Sequence, residues 1–327
     1  MEQLENKNIS ISILIPCYNE EEYIEQTLNS IIKQKHNFKQ EIFIIDGKST
    51  DNTVQKIRPF LNNNIKLLFN ENKTKPFALN LGIKNSTGDY VVIVDCHSTY
   101  PKTYINRLVK FISNNPEYGN AGFPVNTVPA NNSATSKAIS LALSSSFGVG
   151  NSLFRIGIDK VQDVDTVPFG CFPADVFKKV GYFDEILTRN QDDEFNSRLI
   201  KNGYKIALLP DLTINYIARK NFKLLSKMMY QYGLFKPIVN KKIGSPTTLR
   251  QFAPPTLVAT IPLSIFPYLI FLIFAFISSF KKNRNVTIAI NFCFSIIAMH
   301  ISYGIGYLFG LIKVMNGKNN FSVSSSR

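Results

Sequence analysis

Short apolar runs alternate with amphipathic segments through the first 125 residues of the chain. The apolar-rich run at 9–16 has the length of a buried strand, and residues 21–35 repeat apolar side chains at the spacing of a helix. The same alternation predicts further strands and helices in turn, at 41–46, 52–61, 65–69, 76–85, 90–95, 101–115 and 121–125. Strands that alternate with helices form a mostly parallel sheet with right-handed crossovers. The pattern therefore predicts an α/β fold.

The pattern weakens over residues 126–164, which are rich in Ser, Asn and Gly and offer a helix candidate at 134–147. Beyond them it predicts a strand, two helices and two more strands, at 166–171, 173–180, 192–202, 205–209 and 212–216. We therefore expect the α/β domain to occupy residues 1–220.

The last third of the chain changes character. No charged residue occurs over 253–280 or over 285–312, and the basic turn at 281–284 separates the two runs. About 20 apolar residues suffice for a helix to cross a bilayer. The predicted order after the α/β domain is a basic amphipathic interfacial segment, a hydrophobic helical hairpin at the membrane and a polar tail, at 221–252, 253–312 and 313–327.

The orientation of the hairpin stays open at the level of sequence. Basic residues gather before the first apolar run, which favours a cytoplasmic α/β domain under the positive-inside rule. The basic turn at 281–284 argues against this if both helices cross fully. Four prolines would allow a re-entrant hairpin instead: Pro254, Pro255, Pro262 and Pro267.

Charge and cysteine content narrow the class of protein. With 37 Lys+Arg against 23 Asp+Glu, the net charge of +14 suits nucleic acid, an anionic membrane or phosphorylated substrates. No nucleic-acid motif accompanies it, so no nucleic-acid partner is expected. The four cysteines form no CxxC pair, which favours a reducing compartment without a zinc or disulfide framework. Residues 1–10 are polar, and no secretory signal peptide is expected there.

Three acidic residues stand at the ends of predicted elements: Asp46, Asp95 and Asp192. Asp95 closes an apolar run, and in an extended segment it would point the same way as His97, so the two side chains could hold one cation. The carboxyl end of a buried strand is where open α/β sheets bind ligands. Each aspartate also has a simpler interpretation as a turn or cap residue.

Asp192 is followed by Asp193 and Glu194 at the start of a predicted amphipathic helix. Acidic residues in a first turn complement the helix dipole. Successive acids also raise one another's pKa by repulsion, and a partly buried member could serve as a general base. Both interpretations fit this cluster alone.

Taken in order, these segments resemble the family 2 glycosyltransferases over about residues 9–240, and most closely the succinoglycan-biosynthesis type of exopolysaccharide enzyme. The matching segments are the strand 11–16 leading into Cys17-Tyr18-Asn19-Glu20-Glu21, the turn Asp46-Gly47-Lys48-Ser49-Thr50-Asp51-Asn52-Thr53, Asp95-Cys96-His97 with Tyr100-Pro101, and Gln191-Asp192 with Arg198-Leu199. The resemblance implies a GT-A fold, a divalent cation (Mg²⁺ or Mn²⁺) and inversion at the anomeric carbon of a nucleotide-activated sugar.

The resemblance also implies roles for individual residues. The nucleotide would contact Pro16, Tyr18, Asn19, Glu20, Asp46 and Asp95. The metal would be held by Asp95 and His97, and Asp192 would take the proton of the acceptor hydroxyl. Gly170, Cys171 and Asp193 would lie on the acceptor side.

The chain departs from the family pattern at several positions. Gly47 stands where many members have a second Asp, Gln191 replaces a common Glu, and His97 replaces the second Asp of the usual Asp-x-Asp. Histidine is a softer, titratable ligand, so metal dependence is expected to be weaker or pH-sensitive. The chain has no Trp and so lacks the Gln-x-x-Arg-Trp element of processive synthases, which favours addition of a single sugar.

The expected function is transfer of one sugar from a nucleotide diphosphate sugar, a UDP-hexose, to a lipid-linked glycan on the cytoplasmic face of the cell membrane. One alternative keeps the fold and makes polyprenyl phosphate the acceptor. Another is a non-catalytic binding or scaffold protein of the same fold.

Overall fold

A computed structural model describes residues 9–317. The chain divides into two compact units. The first runs through Val125 and resumes over Gly157–Asn215, and the second comprises Asn126–Ile156 and the chain from Tyr216 onward. The sequence predicted contiguous domains with a boundary at 220, whereas here the chain leaves the first unit and returns to it.

Strands and helices alternate through the first unit, and β7 (Val125–Val128) and β11 (Ile214–Ile217) cross its boundaries with the second. The strands are β1 (Ser10–Cys17), β2 (Lys39–Asp46), β3 (Ile65–Phe69), β4 (Tyr90–Ile93), β5 (Ser98–Thr99), β6 (Tyr118–Gly122), β7 (Val125–Val128), β8 (Gln162–Asp163), β9 (Gly170–Pro173), β10 (Lys205–Leu208) and β11 (Ile214–Ile217). The α-helices of residues 9–317 are α1 (Ile24–Ile32), α2 (Thr53–Ile57), α3 (Lys75–Asn85), α4 (Tyr104–Asn114), α5 (Ala134–Leu143), α6 (Ser146–Val149), α7 (Leu153–Ile156), α8 (Val176–Lys179), α9 (Gln191–Lys201), α10 (Phe222–Ile243), α11 (Ala253–Ala259), α12 (Ile261–Asn283) and α13 (Val286–Met315). Two short 3₁₀ helices, Arg58–Phe60 and Leu249–Phe252, complete the set.

The central sheet of the first unit has eight strands in the order β3-β2-β1-β4-β9-β6-β10-β8. The chain proceeds outward from β1 through β2 to β3 and then returns to place β4 on the other side of β1, with β1 parallel to both neighbours. A reversal of strand order of this kind leaves a crevice at the carboxyl ends of the two strands concerned. These are the ends of β1 and β4.

The second half of the sheet is mixed. Strand β9 lies between β4 and β6 and runs antiparallel to both, while β10 is parallel to β6. The α/β prediction is confirmed, with a sheet that is parallel over its first four strands and mixed beyond. Strand β9 brings Gly170 beside Ile93 at the end of β4.

Helices cover both faces of this sheet because its central strands are apolar on both sides. On β1, Ile11, Ile13 and Ile15 belong to one core cluster together with apolar residues of α1 and α4. Leu14 points to the other face and belongs to a cluster with residues of α3, α8 and α9. Continuous apolar strands of this kind are typical of sheets buried on both faces.

Several predicted boundaries were wrong. The strand predicted at 121–125 is two strands, β6 and β7, because the chain breaks at Phe123–Pro124. The strand predicted at 90–95 ends at Ile93, so Asp95 and His97 lie in a turn and converge through the turn rather than through strand alternation. The strand predicted at 166–171 begins only at Gly170, where Phe169 and Gly170 both adopt positive φ.

In the second unit the basic segment after residue 221 forms the 22-residue helix α10. One face of α10 packs on α13 through small residues. A Cβ on Gly233 would lie 2.1 Å from the Tyr303 carbonyl oxygen, and one on Gly306 would lie 2.2 Å from that of Tyr230. Such distances mean that the two backbones approach as closely as glycine permits. The interfacial location predicted for this segment stays a prediction.

The two apolar runs form helices in the second unit. The prolines interrupt the first run at Thr260, so α11 ends and α12 begins there. A two-residue turn then joins α12 to α13: Arg284 has a φ of 52°, and the Asn285 side chain accepts a hydrogen bond from the Ile288 amide at 2.9 Å. Within residues 9–317, α12 and α13 are long and apolar enough to cross a membrane, with mean hydropathies of 2.3 and 1.7.

Two predictions fall partly or wholly outside the described residues. The expected absence of a signal peptide concerns residues 1–10, of which only the last two are described. The polar tail was predicted to begin at 313, but α13 continues through Met315. Residues 318–327 of that tail lie outside the described residues.

Candidate active site

The loop after β1 and the loop after β2 interlock at the carboxyl edge of the sheet. Cys17 pairs with Asp46 as the last residue of each strand, and the Gly47 amide donates to the Cys17 carbonyl at 2.9 Å. The Asn19 amide then donates to Ser49 Oγ at 2.8 Å. The Asn19 side chain in turn accepts from the Thr50 amide at 2.8 Å. The segments that were predicted to bind the nucleotide therefore form one wall.

Asp46 is fully buried at the base of this wall. Its carboxylate accepts hydrogen bonds from the Ser49 amide at 2.9 Å and from the Ser49 hydroxyl at 2.5 Å. The turn role considered for Asp46 is therefore present in the structure. A nucleotide contact at Asp46 stays a prediction.

Asp95, His97 and Glu20 form a buried cluster beside the wall. His97 Nε2 lies 2.7 Å from Asp95 Oδ2, and His97 Nδ1 lies 3.2 Å from Glu20 Oε1. The three side chains are 10% exposed or less. Glu20 was expected at the nucleotide, yet its carboxylate lies against the imidazole of His97.

The donor atoms of Asp95 and His97 fit two neighbouring ligand positions of a divalent cation. Neighbouring ligands of an octahedral cation lie about 3 Å apart because each metal–oxygen bond is about 2.1 Å long. The Asp95 and His97 atoms are already within 0.3 Å of that separation at 2.7 Å. Cys96 lies close enough to join Glu20 and His97 in a possible three-ligand group, whose ligand atoms are all within 4.8 Å of one another. A thiol, however, suits softer ions than Mg²⁺ or Mn²⁺.

Tyr100 holds the backbone of the Asp95 turn. The Asp95 amide donates to the Tyr100 hydroxyl oxygen at 2.6 Å. Burial raises the pKa of Tyr100, so this hydroxyl stays protonated and lies 3.3 Å from the Asp95 carbonyl as a donor. Thr27 Oγ1 lies 2.9 Å from the carbonyl oxygens of both Cys96 and Ser98. Helix α1 and Tyr100 therefore fix the turn that carries the cluster.

Lys75 connects this cluster to the opposite side of the crevice. Its ammonium lies 3.4 Å from Asp95 Oδ1 and 5.4 Å from the centre of the Phe169 ring. Phe169 has a φ of 63°, which is unusual for a bulky residue and indicates backbone strain of order 1–3 kcal/mol. The strained loop aims the Phe169 ring at Lys75.

A small cavity that opens to solvent lies between β4, β9 and the start of α9. Its lining residues include Lys75, Asn120, Phe169, Gln191, Asp192 and Asn196. The first turn of α9 supplies Asp192, and Asn190 before it adopts the left-handed conformation with a φ of 58°. Asp192 therefore shares one cavity with Lys75.

The pKa of Asp192 is raised above its ordinary value. The largest cause is burial, the second is repulsion from the neighbouring Asp193 carboxylate, and the positive charge of Lys75 opposes both. A carboxylate with a raised pKa binds a proton more readily, which is the property of a general base.

Comparisons with known proteins show the family of this chain. A protein-family model described as "Glycosyl transferase family 2" matches residues 12–168. The dolichyl N-acetyl-alpha-D-glucosaminyl phosphate 3-beta-D-2,3-diacetamido-2,3-dideoxy-beta-D-glucuronosyltransferase of Methanococcus voltae is 33% identical over 245 residues, 71% of this chain and 74% of the relative. The chain belongs to glycosyl transferase family 2.

A second relative is the succinoglycan biosynthesis protein ExoA of Rhizobium meliloti (strain 1021). It is 28% identical over 246 residues, 74% of this chain and 73% of the relative. The resemblance inferred from the motifs is therefore confirmed. The chain is a glycosyltransferase, and the inverting mechanism fits its family.

Solved structures support the fold of the glycosyltransferase. The mannosyltransferase PcManGT from Pyrobaculum calidifontis, in complex with GDP-Man and Mn²⁺, has a TM-score of 0.58 at 19% identity and covers 91% of this chain and 88% of its own. Residues 1–349 of S. aureus TarS in complex with UDP have a TM-score of 0.52 at 18% identity, with 94% and 92% covered. At these identities the likeness carries the fold alone, which is of the GT-A type.

The glycosyltransferase brings some predicted site residues to the crevice and buries others. Asp192 lines the cavity, and Asp95, which contacts His97, reaches it through Lys75, whereas the Asn19 side chain accepts a hydrogen bond from the turn after β2. Pro16 is buried in β1, and Cys171 is fully buried within β9. A direct acceptor contact of the Cys171 side chain would need the sheet to open. The roles assigned to all these residues stay predictions.

A buried polar network at the wall of the cavity was not predicted from the sequence of the glycosyltransferase. Asn120 Nδ2 donates to Asn196 Oδ1 at 3.0 Å, and Asn196 Nδ2 donates to Thr166 Oγ1 at 2.9 Å. A Cβ on Gly170 would lie 2.2 Å from Asn120 Oδ1. The network therefore links β6 to α9 and explains why position 170 requires glycine. Asn196 lies four residues after Asp192, and this helical spacing was the one available signal.

Arg198, one of the matched motif residues, anchors α9 of the glycosyltransferase. Its guanidinium binds both carboxylate oxygens of Glu194, at 2.6 and 2.9 Å. It also donates to the carbonyl oxygens of Val180 and Tyr182, at 2.7 and 2.6 Å. Bidentate contacts of this kind are strong and directional. Arg198 therefore holds the start of α9, and with it Asp192, against the loop at 180–182.

Proposed function

We propose that this glycosyltransferase transfers a single sugar, with inversion, from a nucleotide diphosphate sugar to a lipid-linked glycan at a membrane. A UDP-hexose is the proposed donor. The observation that carries the proposal is the position of Lys75, which contacts Asp95 and lines the same cavity as Asp192. A metal-binding carboxylate and a general base then lie on two sides of one crevice at the switch point of the sheet.

Asp95 and His97 are the residues that would hold a divalent cation. The cation would neutralise charge on the diphosphate and so favour departure of the leaving group. Lys75 lies beside Asp95 and adds a fixed positive charge of this chain to the same region.

Asp192 is the proposed base. As the acceptor oxygen attacks the anomeric carbon, its proton passes to the Asp192 carboxylate. A new bond from carbon to the acceptor oxygen forms while the bond from carbon to the diphosphate oxygen breaks, and the electron pair leaves with the diphosphate. Attack from the face opposite the diphosphate inverts the anomeric carbon. The raised pKa of Asp192 supports its acceptance of this proton.

The acceptor class is suggested by relatives that match most of the chain. The Methanococcus voltae relative is named for a dolichyl phosphate that carries N-acetylglucosamine, and the Rhizobium meliloti relative for succinoglycan biosynthesis. The apolar helices α12 and α13 support contact with a membrane, where a lipid-linked acceptor is found. We place the catalytic unit on the cytoplasmic side, where nucleotide sugars are made and the basic flank before α11 is favoured.

The decisive experiment compares the wild-type protein with Asp192→Asn. Both are purified in detergent and supplied with a panel of nucleotide sugars, Mg²⁺ or Mn²⁺, and a lipid-linked saccharide. We expect transfer by the wild type and a loss of about 100- to 10,000-fold in the variant, with nucleotide binding retained in both. Asp175→Asn is the matched control because Asp175 is an exposed partner of Lys179 away from the cavity.

Two outcomes would contradict the proposal. Nucleotide binding without transfer by the wild type, for every donor and acceptor offered, would favour a non-catalytic role. Transfer to bare polyprenyl phosphate, with none to a preassembled lipid-linked saccharide, would favour the alternative acceptor.

A further inference from the structure

His97 lies between two carboxylates. Its Nε2 atom faces Asp95 Oδ2 at 2.7 Å and its Nδ1 atom faces Glu20 Oε1 at 3.2 Å. All three side chains are almost completely removed from solvent, with Glu20 only 5% exposed. An imidazole has two different ring nitrogens, and the partner of one determines what the other can do.

The backbone around Glu20 fixes where its carboxylate lies. The Glu20 amide donates to Thr53 Oγ1 at 2.7 Å. Its carbonyl accepts from the amides of Tyr23 and Ile24 at 3.0 and 2.9 Å, so Glu20 opens the turn that leads into α1. These bonds involve only main-chain atoms of Glu20 and survive replacement of its side chain.

We propose that Glu20 is a positioning residue for the metal site. The Glu20 carboxylate lies 3.2 Å from His97 Nδ1 without hydrogen-bond geometry in this structure, and it would accept the Nδ1–H when the Nε2 lone pair is given to a cation beside Asp95 Oδ2. Carboxylate–histidine–metal arrangements of this kind set the tautomer and orientation of the ligand. The proposal rests on the proposed function, because it takes Asp95 and His97 as the metal ligands.

A carboxylate at Glu20 would explain why His97 can stand where the usual Asp-x-Asp motif has its second Asp. An aspartate can turn either oxygen toward a cation and needs no partner to select it. A histidine presents a lone pair only from the nitrogen that carries no proton. The Asp-x-His variant therefore needs a carboxylate behind the imidazole, and Glu20 occupies that place.

Glu20 could instead be a direct ligand together with Cys96 and His97, since these three side chains form a possible ligand group. The two arrangements differ in what happens when His97 is replaced. A direct ligand contributes to metal affinity whichever residue occupies position 97. A positioning carboxylate no longer contributes to metal affinity once the imidazole is replaced. It would also repel an aspartate at position 97.

The experiment is a double-mutant cycle read out by the affinity for Mn²⁺. Isothermal titration of the full chain in detergent measures Mn²⁺ binding to the wild type, Glu20→Ala, His97→Asp and the double variant. We expect Glu20→Ala to weaken binding about 10- to 100-fold, as loss of an outer-shell partner does. In the His97→Asp background, we expect the same change to have no effect or to strengthen binding.

Two further variants keep the test specific. Glu20→Gln retains an acceptor of similar shape and should lose less affinity than Glu20→Ala, which also covers the case in which the alanine variant fails to fold. Glu22→Gln, an exposed acid two residues away, should bind Mn²⁺ like the wild type.

The outcomes separate this inference from the proposed function. Equal losses from Glu20→Ala in both backgrounds would make Glu20 a direct ligand or a structural residue and overturn its positioning role alone. Unchanged affinity in the Glu20→Ala single variant would do the same. Absence of Mn²⁺ binding by the wild type would overturn the metal site as well, whereas sugar transfer without metal would leave the transferase itself standing.

Discussion

Asp192 and Asp193 are neighbours in the first turn of α9, and their repulsion is one cause of the raised pKa of Asp192. A general base must be unprotonated to act, so the raised pKa limits transfer on the acid side of the pH profile. We expect Asp193→Asn to remove the repulsion, lower the pKa of Asp192 and move the acid limb of kcat to lower pH. The pH profile of kcat for the wild type and the variant measures the shift.

Asp175→Asn removes an equal charge that is not among the causes of the raised pKa of Asp192, and it should leave the acid limb where it is in the wild type. A limb that stays in place in Asp193→Asn, or moves to higher pH, would contradict the role of Asp192. Burial is the larger cause of the raised pKa and remains in the variant. Asp193→Asn should therefore bring the pKa of Asp192 only part of the way back to that of an ordinary aspartate.

Sequence spacing identified some of these side chains and missed others for a physical reason. Asp95 and His97 are close in sequence, so their contact could be predicted from local geometry, even though a turn and not a strand brings them together. Glu20 and Lys75 reach the same cluster from distant segments of the chain. Those contacts depend on the order of strands in the sheet, which local patterns do not contain.

At the scale of elements, strand and helix types were easier to predict than their partners. Apolar runs indicated β1 to β4 because buried strands are short and continuous. The antiparallel insertion of β9 between β4 and β6 left no such signal, since an apolar run looks the same in either direction. Helix α10 was not predicted as a helix, because it mixes basic and apolar residues and contains Pro237.

The contact between α10 and α13 offers a test at this scale. We expect Gly306→Ala to destabilise the protein by about 1–3 kcal/mol, because the new Cβ would lie 2.2 Å from the Tyr230 carbonyl oxygen and force the helices apart. Ile305→Ala is the matched control on the same helix, since Ile305 is 37% exposed. Thermal unfolding in detergent measures both. A melting temperature of Gly306→Ala equal to that of the control would contradict this packing.

Over the whole molecule, charge is divided sharply between the two units. All 23 acidic residues of the chain fall in the first unit, so every charged side chain of the second unit is positive. The sequence showed the net charge of +14 but not this division, because residues 126–156 join the second unit only in the folded chain. A unit with apolar helices, in which every charged side chain is basic, matches a membrane that contains anionic lipid.

This division predicts a dependence on lipid charge. In nanodiscs, we expect the protein to melt at a higher temperature when one third of the phosphatidylcholine is replaced by phosphatidylglycerol. We expect added salt to reduce this gain in melting temperature.

Lys281 and Lys282 are exposed at the end of α12, and each basic residue near an anionic surface contributes about 1 kcal/mol. Replacing both by Gln should therefore diminish the gain, whereas the same change at Lys178 and Lys179, which are exposed in the first unit, should leave it intact. Equal melting temperatures in the two lipid mixtures would show that the positive unit does not contact lipid headgroups, and its charge would then need another anionic partner, such as the phosphate of the acceptor.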